Sequence, residues 1–126
     1  MVTARLEPEN AASAALLLAE AAASGTRLIP HGNGSKVSAS LTLGSETVLS
    51  SVRLTGGLSH YAGDLVATAP AGASLHHVNT VLAAERQWIP LDPPYGERAT
   101  IGGMVAANQS GPRRHRYGTP RDLIIG

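Results

Sequence analysis

Residues 27–36 read RLIPHGNGSK, a short apolar run that empties into two glycines flanking an asparagine. Leu28 and Ile29 suit a strand, but Gly32, Asn33, Gly34 and Ser35 cannot continue one. Gly, Asn and Ser tolerate left-handed backbone angles, so successive N–H groups can turn inward together and form a cup for an anion. A plain Gly/Asn turn between two strands satisfies the same residues, and this stretch alone leaves both readings open.

Phosphate cradles differ in the residues that come after their glycines. A dinucleotide fingerprint requires G-x-G-x-x-G opening a helix, with an acid about 20 residues on. Here Gly32 and Gly34 are followed by Ser35, Lys36 and Val37, then by SASLTLGSET, which has no helical periodicity. A Walker-type loop requires Gly-Lys-Ser/Thr, whereas Lys36 follows Ser35 and precedes Val37. Both doubly wound readings fail, and a strand-to-loop nest without a helix dipole behind it remains.

Upstream, PENAASAALLLAEAAASG predicts a helix from about Pro8 to Ser24. Pro8 suits the first turn, Glu7 and Glu9 complement the positive dipole end, and Gly25 suits a left-handed stop. Downstream, TVLSSVRL and DLVATAP read as strands, and SLHHVNTVLAAERQ as an amphipathic helix capped by Ser74 with Leu75, Val78 and Leu82 on its buried face. QWIPL is strand-like. The terminal RDLIIG reads as the opening of a further strand whose apolar edge would need a neighbour, so the chain is expected to be a piece of something longer or to depend on a partner.

A second bare tract lies in ATIGGMVAANQSGP, residues 99–112, where Gly102 and Gly103 head an apolar segment and Asn108 and Gly111 come after it. Glycine is needed where backbone must approach a ligand closely, because a Cβ would hold the ligand off. Two such loops in one small domain suggest an extended ligand gripped at two places, as a diphosphate between two nucleotide-like halves would be. A loop-rich connector is the competing reading.

Composition narrows the function classes. The 126 residues fit one domain, and the apolar 43% comes mostly from small residues, with no Phe, one Trp and three Tyr, so the core is thin. Ten basic against nine acidic residues leave a net charge of +1, which gives no footprint for nucleic acid or a membrane surface. The absence of cysteine removes disulfides, thiolate metal sites and thiol nucleophiles from this chain, and fits a reducing, cytoplasmic setting. MVTARLEPEN lacks the secretory pattern, and no run approaches the ~18 apolar residues of a membrane span.

The order and spacing of PHGNGSK, DLVATAPAGASLHHVNTVLAAERQWIPLDPPYGERATIGGMVAANQSGPRRHRYGTPRDLIIG resemble the N-terminal part of FAD-linked oxidases of the vanillyl-alcohol-oxidase or p-cresol-methylhydroxylase (PCMH) type, and above all the FAD-binding subunits of bacterial glycolate oxidases. The likeness runs from about Arg27 to Gly126, and ATIGGMVA…GPRR…G…RD is its most specific part. It implies an α+β fold: the first subdomain of a PCMH-type FAD-binding domain, a small β-α-β unit over roughly residues 1–90, with residues 91–126 opening the second. It also implies FAD as cofactor, with Pro30, His31, Gly32, Asn33, Gly34, Ser35 and Lys36 wrapping the pyrophosphate. Pro93, Thr100, Ile101, Gly102, Gly103, Asn108 and Gly111 would follow the flavin side. Tyr117 and Gly118 match a turn leading to the next strand.

Departures from the family pattern carry information. Members commonly have Arg where His31 stands, so a positive charge near the diphosphate is missing, with Lys36 as a substitute. Members with covalent flavin often place a His where Ser35 stands, so non-covalent FAD is implied. The cap and catalytic groups of the family lie beyond Gly126, so no catalytic residue is assigned. The resemblance implies a segment of a flavin-dependent 2-hydroxy-acid oxidoreductase, incompetent alone and working with other subunits of a glycolate-oxidase-type complex peripheral to the inner membrane. A non-catalytic subunit-assembly module and a UDP-sugar reductase of the same fold are the alternatives.

Other constellations add little chemistry. His76 and His77 point about 100° apart on a helix and cannot share a metal; His60 and Asp64 fall in a Gly-containing turn. No G-x-S-x-G or evident Ser-His-Asp pattern supports hydrolysis. PRRHR, with Arg113, Arg114, His115 and Arg116, is the one dense charge cluster, readable as a phosphate or acidic-partner contact or as a solvated loop. Asn33-Gly34-Ser35 and Asn108-Gln109-Ser110 match the glycosylation pattern, which has no consequence without a secretory signal.

Overall fold

A computed structural model of the chain describes residues 4–36 and 46–126; the SASLTLGS stretch lies outside them. Strand β1 (Ala4–Leu6), helix α1 (Ala11–Ser24), strand β2 (Leu28–His31) and strand β3 (Thr47–Ser50) build a parallel sheet of order β1-β3-β2. β3 pairs with both neighbours, Leu6 opposite Leu49 on one side and His31 opposite Ser50 on the other. β1 and β2 run parallel on either side of β3, and α1 makes the crossover between them. This is the β-α-β unit the resemblance implied.

The helix begins later than Pro8. Asn10 is extended, its Oδ1 accepts from Ser13 N at 2.9 Å, and Ser13 Oγ accepts from Asn10 N at 3.3 Å. This reciprocal box satisfies two amide donors that the first turn leaves open. At the other end Gly25 takes φ +67, as expected, and Thr26 N donates back to Ala21 O at 2.9 Å.

A smaller layer comes next. β4 (Ser59–Tyr61) and β5 (Val66–Thr68) form an antiparallel hairpin with His60 opposite Ala67. His60 Nε2 meets Gln87 Oε1 at 2.9 Å, and Gln87 Nε2 donates to Ala62 O at 2.8 Å, tying the hairpin to the chain beyond α2 (Leu75–Leu82). α2 starts as the sequence predicts, with Ser74 Oγ accepting from His77 N at 3.0 Å and Leu75, Val78 and Leu82 buried. It stops short of Gln87, because a 3-10 turn over Ala83–Glu85 ends at Arg86 in the left-handed region.

Further segments differ from the sequence expectation. TVLSSVRL is a strand only to Ser50; beyond it Leu54 N closes a turn onto Ser51 O at 2.9 Å. QWIPL pairs with no strand among the described residues, and the Asn79 side chain takes the hydrogen bonds of Ile89: Ile89 N donates to Asn79 Oδ1 at 2.7 Å, and Asn79 Nδ2 donates to Ile89 O at 3.4 Å. RDLIIG opens no strand either. After α3 (Ile101–Ala106) and α4 (Arg114–Tyr117), Pro120–Leu123 form a short helix α5. Pro120 holds its first position, and Asp122 Oδ2 accepts from Thr119 N at 2.7 Å and from Thr119 Oγ1 at 2.8 Å.

The buried core lies under α2 and α3. Leu75, Leu91, Ala99 and Met104 form one cluster, and Ala73, Val78 and Leu82 another. Ile89 and Ile101 pack against both. This joint core fixes α3 against α2, and so positions one wall of the site.

Candidate functional site

A cleft of about 510 Å³ opens between the end of β2 and the start of α3. One wall is the opening loop, with Pro30, His31, Gly32, Asn33, Gly34, Ser35 and Lys36 all lining it. Thr100, Gly102 and Gly103 line the opposite wall, and Ser50 and Ser51 come in from the end of β3. The two low-bulk stretches therefore meet in one cavity.

Gly32 explains why they can meet. A Cβ on it would stand 2.2 Å from Thr100 Oγ1 and 3.5 Å from Gly103 Cα, so the loop lies directly on the first turn of α3. Thr100 Oγ1 is itself engaged, accepting from Gly103 N at 3.2 Å as the helix cap. Asn33 Nδ2 adds a second tie by donating to Arg98 O at 3.2 Å. From the sheet side, Ser50 Oγ donates to Gly32 O at 3.3 Å and accepts from an Arg5 guanidinium nitrogen at 3.0 Å. Ser50 is fully buried, so this relay fixes the loop from behind.

Four predicted site residues are not part of the cleft lining. Ile101 packs into the core, and Pro93 is buried outside the cleft. Asn108 takes a left-handed backbone, and its Oδ1 accepts from Arg121 N at 3.0 Å, joining the end of α3 to α5. Gly111 lies against Asp92: a Cβ there would be 2.0 Å from Asp92 O. Gly102 lines the cleft, but its want of bulk has a second cause, since a Cβ would come within 2.9 Å of Ala71 Cβ.

Sequence reasoning missed Arg5, Ser50, Ser51 and Gln109. Arg5 was hidden because β1 has only three residues and carries no alternating pattern long enough to register. Ser50 and Ser51 stood inside a predicted strand; two consecutive serines after a β-branched run were the available signal that a strand was ending.

Among the described residues lining the cleft there is no carboxylate, and the titratable side chains are Lys36 and His31. Among the described residues the ion pairs are Arg5–Glu7 and Arg53–Glu9, so Lys36 has no counter-charge. Burial pulls the Lys36 ammonium below its usual range, and burial followed by the Arg5 guanidinium pulls the His31 imidazole down. His31 Nε2 is buried and has no hydrogen-bond partner among the described residues. A walled, acid-free cavity with one uncompensated ammonium is suited to an anion.

The His31 shift sets a pH dependence. In the unfolded chain the imidazole takes its proton near the ordinary value of 6.5, whereas the folded chain takes it at lower pH. Stability is therefore greatest above 6.5 and falls as pH drops towards the folded-state value, where the unfolded chain binds more protons. Thermal melts between pH 7.5 and 5 are expected to show a falling midpoint, and His31→Gln to fall less steeply; equal slopes would show that the imidazole is not the group responsible.

Among the described residues, no helix is long and apolar enough to cross a membrane, and no group of three or more His, Asp or Glu side chains is placed to hold a metal.

Comparisons with known proteins give the family and the fold that the chain shares. The family model described as an FAD binding domain matches residues 2–126. The glycolate oxidase subunit GlcE of Escherichia coli (strain K12) is 38% identical over 103 residues, which cover 80% of this chain and 29% of the relative. D-lactate dehydrogenase of Archaeoglobus fulgidus is 29% identical over 121 residues, covering 95% of this chain and 27% of that protein. The chain thus spans less than a third of the length of the curated relatives it matches. Among solved structures, alkyldihydroxyacetonephosphate synthase shares the fold with a TM-score of 0.82 at 22% identity, covering 96% of this chain and 24% of that one. A variant of Phl p 4, described as a glucose oxidase, gives 0.81 at 15% identity over 98% of this chain and 26% of its own.

Proposed function

The chain belongs to the FAD binding domain family, and from that premise we propose that it is the FAD-holding segment of an oxidoreductase acting on a 2-hydroxy acid of the glycolate kind. The convergence of Pro30–Lys36 and Thr100–Gly103 on one acid-free cleft carries this reading. The residues present fit the group: glycines in the wall add no side-chain bulk beside the backbone, Lys36 supplies charge, and His31, whose Nε2 is buried without a partner among the described residues, stands in the same wall. The relatives supply the substrate class, since one is a glycolate oxidase subunit and another a D-lactate dehydrogenase.

In this reading the opening loop holds the diphosphate through main-chain amides, and Thr100, Gly102 and Gly103 border the flavin half. When bound, the flavin supplies a hydride acceptor for the α-carbon of the substrate, and the protein supplies grip, orientation and exclusion of water. Ser35 offers no imidazole for covalent attachment, so the cofactor is held non-covalently. On this reading residues 1–90 belong to the first subdomain and residues 91–126 to the second; Leu75 of the one shares a core cluster with Leu91, Ala99 and Met104 of the other. As in the GlcE relative, which is described as a subunit, the chain works within a larger assembly.

The test is isolation of the protein in its natural length. Stoichiometric flavin, released intact as FAD on denaturation and bleached by a 2-hydroxy acid without oxygen, is the expected result. A colourless protein that fails to take up added FAD would end the reading.

Lys36 provides a narrower prediction. Hydrogen bonds to charged groups contribute about 1.5–3 kcal/mol, so Lys36→Gln is expected to weaken FAD binding roughly tenfold and to flatten its salt dependence. Lys36→Arg keeps the charge and is expected to retain most affinity. Titration of the apoprotein with FAD at two ionic strengths measures both.

A further inference from the structure

The PRRHR cluster is not part of the cleft lining and has its own architecture. The Arg113 guanidinium lies over the Trp88 ring at 4.8 Å. Trp88 meets Tyr117 edge-on at 5.7 Å between centroids, and the Arg116 guanidinium lies over Tyr117 at 5.3 Å. The four side chains form a ladder in which a guanidinium closes each end of a ring pair, with Trp88 45% and Tyr117 37% exposed. Arg114 stands on the same single turn, and none of the three arginines has an ion pair among the described residues. Asp92, the nearest acid to the cluster in the hydrogen-bond pattern, is occupied by Arg113 N at 3.2 Å.

Stacking on a ring uses the face of a guanidinium and leaves its edge of N–H donors outward, in the fork that matches a carboxylate. It also fixes two long side chains beforehand, which lowers the ordering cost that arginine normally brings to an interface. The charge is local. Arg113, Arg114 and Arg116 are three of ten basic residues, whereas the remaining seven face nine acidic ones, so the rest of the chain is net negative. A long polyanion would be attracted at this spot and repelled elsewhere. Arg113 and Arg116 each occupy one face of a ring, which reduces the face open to a stacking base.

We propose that the Arg113–Trp88–Tyr117–Arg116 ladder is a docking surface for a carboxylate-rich segment of a partner subunit. The inference rests on the assembly proposed above and names the face through which this chain enters it. Short acidic segments suit it: two carboxylates reach the two preset forks, and the exposed parts of Trp88 and Tyr117 take the apolar stem between them.

The probe is a fluorescently labelled deca-glutamate peptide, added to the flavin-loaded protein of natural length and read by anisotropy at low and physiological salt. Binding is expected, weakened at least tenfold in Arg113→Gln/Arg116→Gln and severalfold in Arg113→Lys/Arg116→Lys, which keeps charge but loses the fork. Flavin content should stay unchanged in both. The proposal is overturned if the peptide does not bind, if the glutamine variant binds it equally, or if a thymidine oligonucleotide or phosphatidylglycerol vesicles of equal charge bind more tightly. Co-purification separates the two readings. Subunits retained equally by the glutamine variant refute the surface and leave the assembly standing, whereas a natural protein isolated without any other subunit refutes the assembly itself.

Discussion

Gly32→Ala is expected to remove most of the bound flavin while the chain still folds. The added methyl carbon falls 2.2 Å from Thr100 Oγ1, against an ordinary contact of more than 3.4 Å, so something must move by over an ångström. Thr100 can rotate away, which surrenders the cap it gives Gly103 N and costs about 1 kcal/mol. Otherwise the loop lifts from α3, and the two cleft walls separate. Each path changes the spacing between the stretches that face one another across the cavity, and an error near 1 Å in a preorganised site is costly. Flavin affinity is expected to drop tenfold or more, with a stability loss of about 1–2 kcal/mol.

A double substitution isolates the cause. Thr100→Ala removes the atom with which the new methyl collides, so Gly32→Ala should cost much less on that background than on the unaltered chain. The flavin-to-protein absorbance ratio and a melt of each variant give the cycle. Full flavin retention in Gly32→Ala alone would mean that the close approach of loop and helix is not what shapes the site.

Local chemistry made much of the architecture legible. The Gly25 stop, the Ser74 cap and the Leu75, Val78, Leu82 face are each specified within a few residues, and all three recur in the structure. Where expectation and structure part, a side chain had taken hydrogen bonds that a pattern of apolar residues cannot reveal. Asn79 satisfies Ile89 on both backbone groups, and QWIPL pairs with no strand among the described residues. In TPRD the opposite holds, because Thr119, Pro120 and Asp122 form a helix-start signal that the apolar LII overshadowed.

The site was legible in kind but not in extent. Glycine-rich composition marked both walls, since low bulk is a property of residues themselves. Which glycines serve the cleft and which serve packing is a property of neighbours: Gly32 faces Thr100, Gly102 meets Ala71 and Gly111 meets Asp92. The Arg5–Ser50–Gly32 relay links positions far apart in the chain, and no local window contains it.

Gly72→Ala is the substitution expected to cost the fold most. Its Cβ would stand 2.1 Å from Ser51 O, 2.8 Å from Leu54 O and 3.0 Å from Leu54 N, all backbone atoms. No rotamer change relieves such a clash. Gly72 N donates to Leu54 O at 2.9 Å, and Ser51 N donates to His31 O at 2.8 Å, so the displaced backbone is the same one that continues the β2–β3 pairing. Pushing it outward loosens the tie between the sheet and the segment that leads into α2, on which the buried core depends. The expected loss is about 3 kcal/mol, at the upper end for overpacking, with a melting midpoint lowered by about 10 °C. Two other glycines calibrate it. Gly25→Ala meets open space but keeps φ +67, and is expected to cost about 1 kcal/mol; Gly56→Ala meets open space without that constraint and should be near neutral. Denaturant unfolding of the three variants gives the ranking. A Gly72→Ala midpoint matching that of Gly56→Ala would mean the turn before α2 yields freely, and that the sheet and the α2–α3 core are not held together there.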